Sequence, residues 1–437
     1  MIKLFFKLKI DDMLDIRLLR ENPQKIKDGL QRRGEDPDVV DKLIVLDIEI
    51  RKIKKELDEL RKERNEISRE IGRLKREGKN VEEVLKKVGN LGDKIKAKEI
   101  QLQNFQREFD SIWYYLPNLP HDSVPVGQTP EDNVVIEEWH PVRKLDFEPL
   151  PHWDIGERLG ILEFKKASEI SGSRFAIYKG AGAILERALI NFFLDYNREK
   201  GYVEIFPPYL VKEYAMISSG HLPKFKVEMY HTEDDDLYLI PTAETVLANL
   251  HRNEILEEKE LPKYYMAYTA CFRREAGSYG KDVRGIIRVH QFNKVELFKY
   301  TKPEDSYEEL EKMLQDAVEL VKLLELPYRV VLLCTGDMGF AASKTYDIEV
   351  WAPGVKRWLE VSSVSNTEDF QTRRAKTRMR RKDGKTEFPH TLNGSGLATP
   401  RVFVAILENY QNKDGSITIP EVLRKYMGGV DVILPGV

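Results

Sequence analysis

A guanidinium, an aromatic ring and two carboxylates stand at spacings that suit phosphate and ammonium chemistry. Phe272-Arg273-Arg274-Glu275 closes one apolar run with an arginine and, two residues later, an acid. Ile286 to Phe298 is rich in β-branched and aromatic residues and reads as a returning strand. Between them Gly277, Gly280 and Gly285 turn the chain. Phe292 and Glu296 lie four residues apart on that strand and therefore share a face. One surface would then carry a fork for phosphate, a platform for a base and a carboxylate for an ammonium. An amphipathic hairpin with solvated charges has the same spacing, and spacing alone does not separate the two.

Three further stretches carry groups of the same chemistry. Thr242-Ala243-Glu244 joins a hydroxyl to a carboxylate, which together can take an ammonium and orient a small polar ligand. Thr-x-Glu after a proline, standing alone, is more often simply the start of a helix. Glu360-Val361-Ser362-Ser363 reads as the end of a strand that presents a carboxylate and hydroxyls. Hard oxygen ligands that leave room for substrate phosphates suit Mg²⁺. Asn393-Gly394-Ser395-Gly396 lets backbone approach a ligand, and Arg401 opens a helix, an arrangement that favours anions.

The elements that must hold these groups are legible in part. Val330 to Leu333, Tyr346 to Val350 and Trp358 to Val361 read as strands. Ala181 to Lys200 has an apolar stripe at Ile184, Leu185, Ala188, Leu189, Phe192, Phe193 and Tyr196, ends at Gly201, and leads into a strand closed by Pro207-Pro208. Upstream, Leu14 to Asp36 reads as a short helical element with Pro23 near a helix start. A sustained heptad follows from Val39 to Leu74, interrupted at Arg64, and resumes from Val81 to Ile112, interrupted at Lys98. Two such helices about a break at Gly78-Lys79-Asn80 predict an antiparallel coiled-coil hairpin projecting roughly 50 Å. Its first helix holds 12 Lys/Arg against 7 Asp/Glu between Arg51 and Lys79, a net +5, while 82–110 balances 6 against 6. A basic helix on a rigid arm suits a phosphate backbone; a solvated flank explains any single charge. Four prolines between Pro117 and Pro130 mark a linker or an extended connection, and the domain boundary is placed there, giving domains 1–118 and 119–437.

Composition narrows the class. The 437 residues suffice for two or three domains, and the 41% hydrophobic share is that of a globular protein. With a net charge of −3, nucleic-acid binding must come from a local basic face. The 33% charged share suits surface ion-pair networks of the kind thermophilic proteins carry. Cys271 and Cys334 alone exclude a disulfide framework and a cysteine-based zinc site. No run of 18 apolar residues occurs, and MIKLFFKLKIDD is too short and too interrupted by lysine for a signal peptide, so a cytoplasmic protein without a membrane span is expected. Only 27 residues follow Tyr410, too few for a further domain there.

FRREAGS…RGIIRVHQFNKVELF resembles motif 2 of the class II aminoacyl-tRNA synthetases, in the form of the seryl-tRNA synthetases of bacterial type. The helix, strand and prolines from Ala181 to Pro208 resemble motif 1, PTAE the family's TAE loop, and NGSGLATPR motif 3. The resemblance begins at Met13 and leaves out residues 1–12. It implies an α+β fold: a class II catalytic domain, an antiparallel sheet flanked by helices, behind a coiled-coil arm at about 39–112 that embraces tRNA(Ser). It implies ATP-dependent ligation of L-serine to tRNA(Ser), and by the same resemblance to the tRNA for selenocysteine, in a homodimer built through motif 1. Arg273, Glu275 and Arg401 would be catalytic. Arg273, Arg274, Glu275, Val289, Phe292, Glu360, Val361, Ser362, Ser363 and Arg401 would bind ATP, with Mg²⁺ on Glu360 and Ser363 and no zinc. Thr242, Ala243, Glu244, Arg273, Glu296 and Ser395 would surround the serine. Two other functions stay open at this stage: a paralogue that loads a carrier protein, against which the intact arm argues, and a non-catalytic RNA-binding protein, against which Arg273, Glu275, Glu360 and Arg401 argue.

Overall fold

The computed structural model describes residues 14–140, 145–276 and 284–435. Residues 1–12 and the loop glycines Gly277 and Gly280 lie outside the described residues. The chain divides into two compact units, residues 1–116 and 117–437.

The first unit is helical. The expected single element before the arm is two helices, α1 (Ile16–Glu21) and α2 (Pro23–Arg32). Asn22 separates them: its side chain accepts from the Lys25 N–H at 3.3 Å while Pro23 occupies the first helical position, where its missing N–H costs nothing. The arm is the pair α3 (Val39–Arg76) and α4 (Glu82–Trp113). Gly78 takes φ +66 in the turn, where the Lys79 N–H reaches back to the Leu74 carbonyl at 3.0 Å and closes α3. Ile53, Leu57 and Ile95 are buried in the seam with Leu60, Leu102 and Phe105 packed against them. Lys98, which interrupts the heptad, crosses to Glu56 at 2.5 Å, and Arg61 crosses to Glu99 at 2.8 Å. Toward the turn, Ile67, Ile71 and Leu74 are only half-buried, as a seam of two helices with no third layer must leave them.

The second unit is built on an eight-stranded sheet. Its strands are β1 (Val134–Trp139), β2 (Val203–Glu204), β3 (Lys263–Phe272), β4 (Gln291–Thr301), β5 (Tyr328–Leu332), β6 (Lys344–Ala352), β7 (Arg357–Glu368) and β8 (His390–Ala398). The spatial order is β1-β5-β6-β7-β8-β4-β3-β2, antiparallel except for the edge pair β3–β2. Helices α6 (Ala181–Glu199), α7 (Ser306–Leu323) and α8 (Thr399–Asn409) supply apolar faces to its core, with a short helix α5 (His152–Arg158) before them. Ile184, counted in the apolar stripe of α6, is 37% exposed, whereas Leu185, Ala188, Leu189 and Phe193 are buried. The proline-rich stretch after Pro117 is an extended connection, not a free linker. Asn118 donates to the Ala341 and Thr367 carbonyls, and the His121 N–H to the Ser343 carbonyl.

Two expectations about strands need correction. The return strand begins at Gln291, not Ile286, because Ile286, Ile287 and Val289 leave the ladder to be buried elsewhere. Glu360 to Ser363 sit within β7 rather than at its end. A strand would send Glu360 and Ser363, three apart, to opposite faces. Register prevents this: Ile348 faces Ser362 and Glu349 faces Glu360, so Val361 is an extra residue. This β-bulge re-aims one side chain and brings both oxygen groups to the same side.

Candidate active site

β4 is the floor of the site. Phe292, Lys294 and Glu296 alternate onto the cavity face, and their partners on β3 are Cys271, Thr269 and Ala267, small residues that leave room above them. β3 ends at Phe272, and the chain leaves it through Arg273, whose N–H is held by the His290 carbonyl at 3.0 Å. The Arg273 guanidinium lies 5.1 Å from the Phe292 ring centroid, within cation–π range. Glu275 adopts φ +50, a left-handed conformation that a glutamate rarely takes and that recurs at functional sites. Its carboxylate accepts from Arg288 at 3.3 Å.

The cavity collects most of the residues singled out in the sequence: Thr242, Glu244, Arg273, Glu275, Val289, Phe292, Glu296, Glu360, Val361, Ser363, Ser395 and Arg401 line it together. They come from four walls. The start of the short helix Glu244–Leu247 brings Thr242 and Glu244. β4 and the limbs on either side of its loop bring the hairpin set. The bulged β7 brings Glu360 and Ser363. β8 and the first turn of α8 bring Ser395 and Arg401, and Arg401 donates to the Glu360 carbonyl at 2.7 Å. Glu186 of α6 ties these walls from behind, accepting from Asn293 at 2.9 Å and from Thr399. Three expected residues are not among those lining the cavity. Arg274 is exposed, with its N–H on the Glu228 carbonyl. Ala243 is buried beneath the short helix Glu244–Leu247. Ser362 points away and donates to the Ser395 carbonyl at 2.7 Å.

Charge divides the cavity. At one end Glu296 accepts from Lys294 at 2.5 Å and from the Thr242 hydroxyl at 3.1 Å. Glu244 accepts from Gln371 at 2.6 Å and from Asn393 at 3.0 Å. Glu244 keeps some accessible surface on the cavity, but protein surrounds it. That burial, and next the Glu296 charge, push its carboxyl up to about 7. Burial pushes Glu296 up as well, against the pull of Lys294. His221 opens on the same end, and burial with Arg273 and Lys294 nearby pushes its imidazole down to about 3, so it is neutral. At the other end Asp347 stands opposite Ser363 in the ladder, and burial, then the Glu360 charge, push its carboxyl well up. Two acids of the kind that suit an ammonium, guanidinium groups that suit phosphates and a ring that suits a base thus line one cavity.

A curated relative from Thermodesulfovibrio yellowstonii, named serine–tRNA ligase, is 55% identical over 425 residues, covering 96% of this chain and 100% of its own. The chain belongs to the seryl-tRNA synthetase family. The crystal structure of seryl-tRNA synthetase from Pyrococcus horikoshii complexed with ATP is 44% identical, with a TM-score of 0.88 over 97% of this chain and 100% of that one. The cytoplasmic serine–tRNA ligase of Naegleria fowleri in complex with AMP is 33% identical, with a TM-score of 0.84 over 97% and 99%. Two family profiles also match: the seryl-tRNA synthetase N-terminal domain over residues 13–120, and the tRNA synthetase class II core domain (G, H, P, S and T) over 225–410. The α+β fold with a paired-helix arm is that of seryl-tRNA synthetases.

Several cavity residues escaped the sequence reading. Lys294 lies midway between Phe292 and Glu296, and the period that paired those two places it on the same face. Asn393 and Arg288 lie inside stretches that were singled out for other residues. His221 stands in a stretch with no local signal for a site, as does Gln371, which is buried outside the lining and reaches Glu244 from behind; only the fold brings them there.

Proposed function

We propose that this chain activates L-serine with ATP and transfers it to tRNA(Ser). The observation that carries the reading is the single cavity that combines an ammonium end, at Glu244, Glu296 and Thr242, with phosphate-type cations at Arg273 and Arg401. In the first step a serine carboxylate oxygen attacks the α-phosphorus of ATP in line. The bond to the bridging oxygen breaks, and pyrophosphate leaves with its electron pair. In the second step the 3′-terminal ribose hydroxyl of tRNA attacks the seryl carbonyl, and AMP leaves. Neither step needs a covalent side-chain intermediate, so positioning and charge neutralisation do the work.

The residue roles are those that the family resemblance implies, and the gathering of these groups in one cavity supports them. Arg273 forks onto the α-phosphate and the serine carboxylate, and Phe292 stacks the adenine with Val289 and Ile287 as its wall. Glu275 accepts from the adenine amino group, and Arg401 holds the terminal phosphate. Glu296 and Thr242, with Ser395 on the neighbouring strand, take the serine. A hydroxyl-reading pocket rejects alanine by leaving buried groups unpaired, which can reach about 10⁴-fold. The Ser362 hydroxyl supports the Ser395 backbone.

The donor set suits Mg²⁺. Glu360 and Ser363 are hard oxygen ligands brought together by the bulge, and Asp347 Oδ1 beside them is buried without a hydrogen-bond partner. Two protein oxygens leave the remaining positions to phosphate and water. Bound there, Mg²⁺ would neutralise charge on the phosphates.

The arm is assigned to tRNA by the match to the seryl-tRNA synthetase N-terminal domain, and the basic stretch from Arg51 to Lys79 and the length of the arm agree with it. A homodimer is assigned from the motif 1 resemblance at Ala181 to Pro208, and the apolar edge there agrees with it: Val203, on a strand paired on one side only, is 56% exposed, and Phe206, two residues past that strand, is 80% exposed. Charging of tRNA(Ser) with labelled serine tests the whole reading. Stable seryl-tRNA is expected, and adenylate formation without transfer to tRNA would favour a carrier-loading paralogue instead.

A further inference from the structure

A buried pair outside the cavity ties three of its walls together. Its centre is Glu408 on α8. Oε1 accepts from the His152 backbone N–H at 2.9 Å and from the His152 Nδ1–H at 2.8 Å. Oε2 accepts from the N–H groups of Gly354 at 2.8 Å and Val355 at 3.1 Å, in the turn between β6 and β7. Four donors satisfy this carboxylate completely, so its burial requires no ligand. The far edge of the imidazole has a separate task. The Ile286 N–H donates to His152 Nε2 at 3.2 Å, so that nitrogen carries no proton and the ring holds its proton on Nδ1. Gly285, at φ +77, lies so near that a Cβ there would stand 2.0 Å from Nε2. The next two residues of α5 grip the same stretch. The Arg284 guanidinium is 5.1 Å from the Trp153 ring centroid and 3.6 Å from Asp154 Oδ1. Three consecutive residues of α5 thus hold Arg284, Gly285 and Ile286, where the chain re-enters the cavity wall.

The geometry points to His152 and Glu408 as a positioning pair for the nucleotide wall of the cavity. Ile286, Ile287, Arg288 and Val289 follow directly from the grip and line the cavity, whereas neither His152 nor Glu408 does. Through the pair, that limb is indexed to the helix that carries Arg401 and to the turn that joins the strands of Asp347 and Glu360. A hydrogen bond in a fixed tautomer sets direction as well as distance, and a nucleotide site depends on both. The assignment rests on reading this limb as the adenine wall.

His152→Asn tests it, because the amide keeps a donor for Glu408 and removes the acceptor for Ile286. In serine-dependent pyrophosphate exchange on the full chain, the KM for ATP should rise about tenfold while that for serine stays within about twofold. ATP should also raise the thermal midpoint of the variant less than that of the wild type. Gly285→Ala leaves the pair intact, forces the limb off the ring, and should give the same split. Unchanged KM values, or equal rises in both, would overturn the inference. So would failure of both variants to fold, because the pair would then be part of the core rather than a positioning device. Wild-type exchange that ignores serine would refute the proposed function instead, so the two failures are distinct.

Discussion

The end of the cavity proposed for serine carries two acids, Glu244 and Glu296, whose charges are held in check by burial and by Lys294. Glu296→Ala removes a hydrogen bond to a charged ligand, a loss of about 1.5–3 kcal/mol, so the KM for serine should rise about ten- to a hundredfold. The KM for ATP should stay within about twofold, since Arg273, Phe292 and Arg401 remain. Equal losses for both substrates in steady-state exchange would mean that the assignment is wrong. Glu244 adds a pH dependence. Its carboxyl titrates near 7 because burial and Glu296 disfavour the charge, and only the ionised form attracts an ammonium by charge. Ionisation grows as pH rises, so the KM for serine should fall about tenfold between about pH 6 and 8. Glu244→Gln should raise the KM and flatten that profile; a variant that keeps the slope would move the titration to another group. At this scale the sequence is most legible where functional residues share a local period, as Phe292 and Glu296 do. Lys294 obeys the same period, but a lysine on a strand is ordinarily solvated, so its type carries no signal for a site. His221 and Gln371 obey no period at all.

Among the elements, the arm follows directly from its heptads, and so does the turn at Gly78, because both are properties of neighbouring residues. The bulge at Val361 does not. Nothing in Glu360-Val361-Ser362-Ser363 says which residue the partner strand will skip, yet that choice decides whether the carboxylate and hydroxyl face one cavity. The early start expected for the return strand has a similar cause. Ile286 to Val289 have strand-like composition, but their burial is in a wall outside the ladder. The arm also allows a separation of activities. Residues 39–112 contribute nothing to the cavity, and their helices pair with each other. Replacing them with a short linker should leave serine-dependent exchange within about tenfold, since the second unit is large enough to keep its own core. Charging of tRNA should fall far more. Binding of tRNA to the intact chain should weaken steeply with salt, and neutralising one phosphate-contacting lysine or arginine between Arg51 and Lys79 should lower the log–log slope by about one. A truncated enzyme that charges tRNA as well as the full chain would place the RNA contacts on the second unit.

At the scale of the molecule, the site is an agreement among segments far apart in sequence. His152 meets Glu408 across 256 positions, Glu244 meets Asn393 across 149, and Thr242 meets Glu296 across 54. Pairs of this kind leave no local signature, so the four motif-bearing stretches could be ordered along the chain while the links between them stayed invisible. The apolar edge at β2 extends the account beyond one chain. Sedimentation at micromolar concentration should give twice the chain mass, and Phe206→Glu should shift the protein toward the monomer by placing a charge on the edge. A wild-type monomer would remove the dimer from the account and leave that edge for another partner. The central claim is that one cavity joins serine to a nucleotide. Amino-acid-dependent exchange of labelled pyrophosphate into ATP by the purified full chain tests it most directly. Exchange should require Mg²⁺, depend on serine, and be lower by several orders of magnitude with alanine, glycine or threonine; no exchange with any amino acid, or equal exchange with alanine, would contradict it.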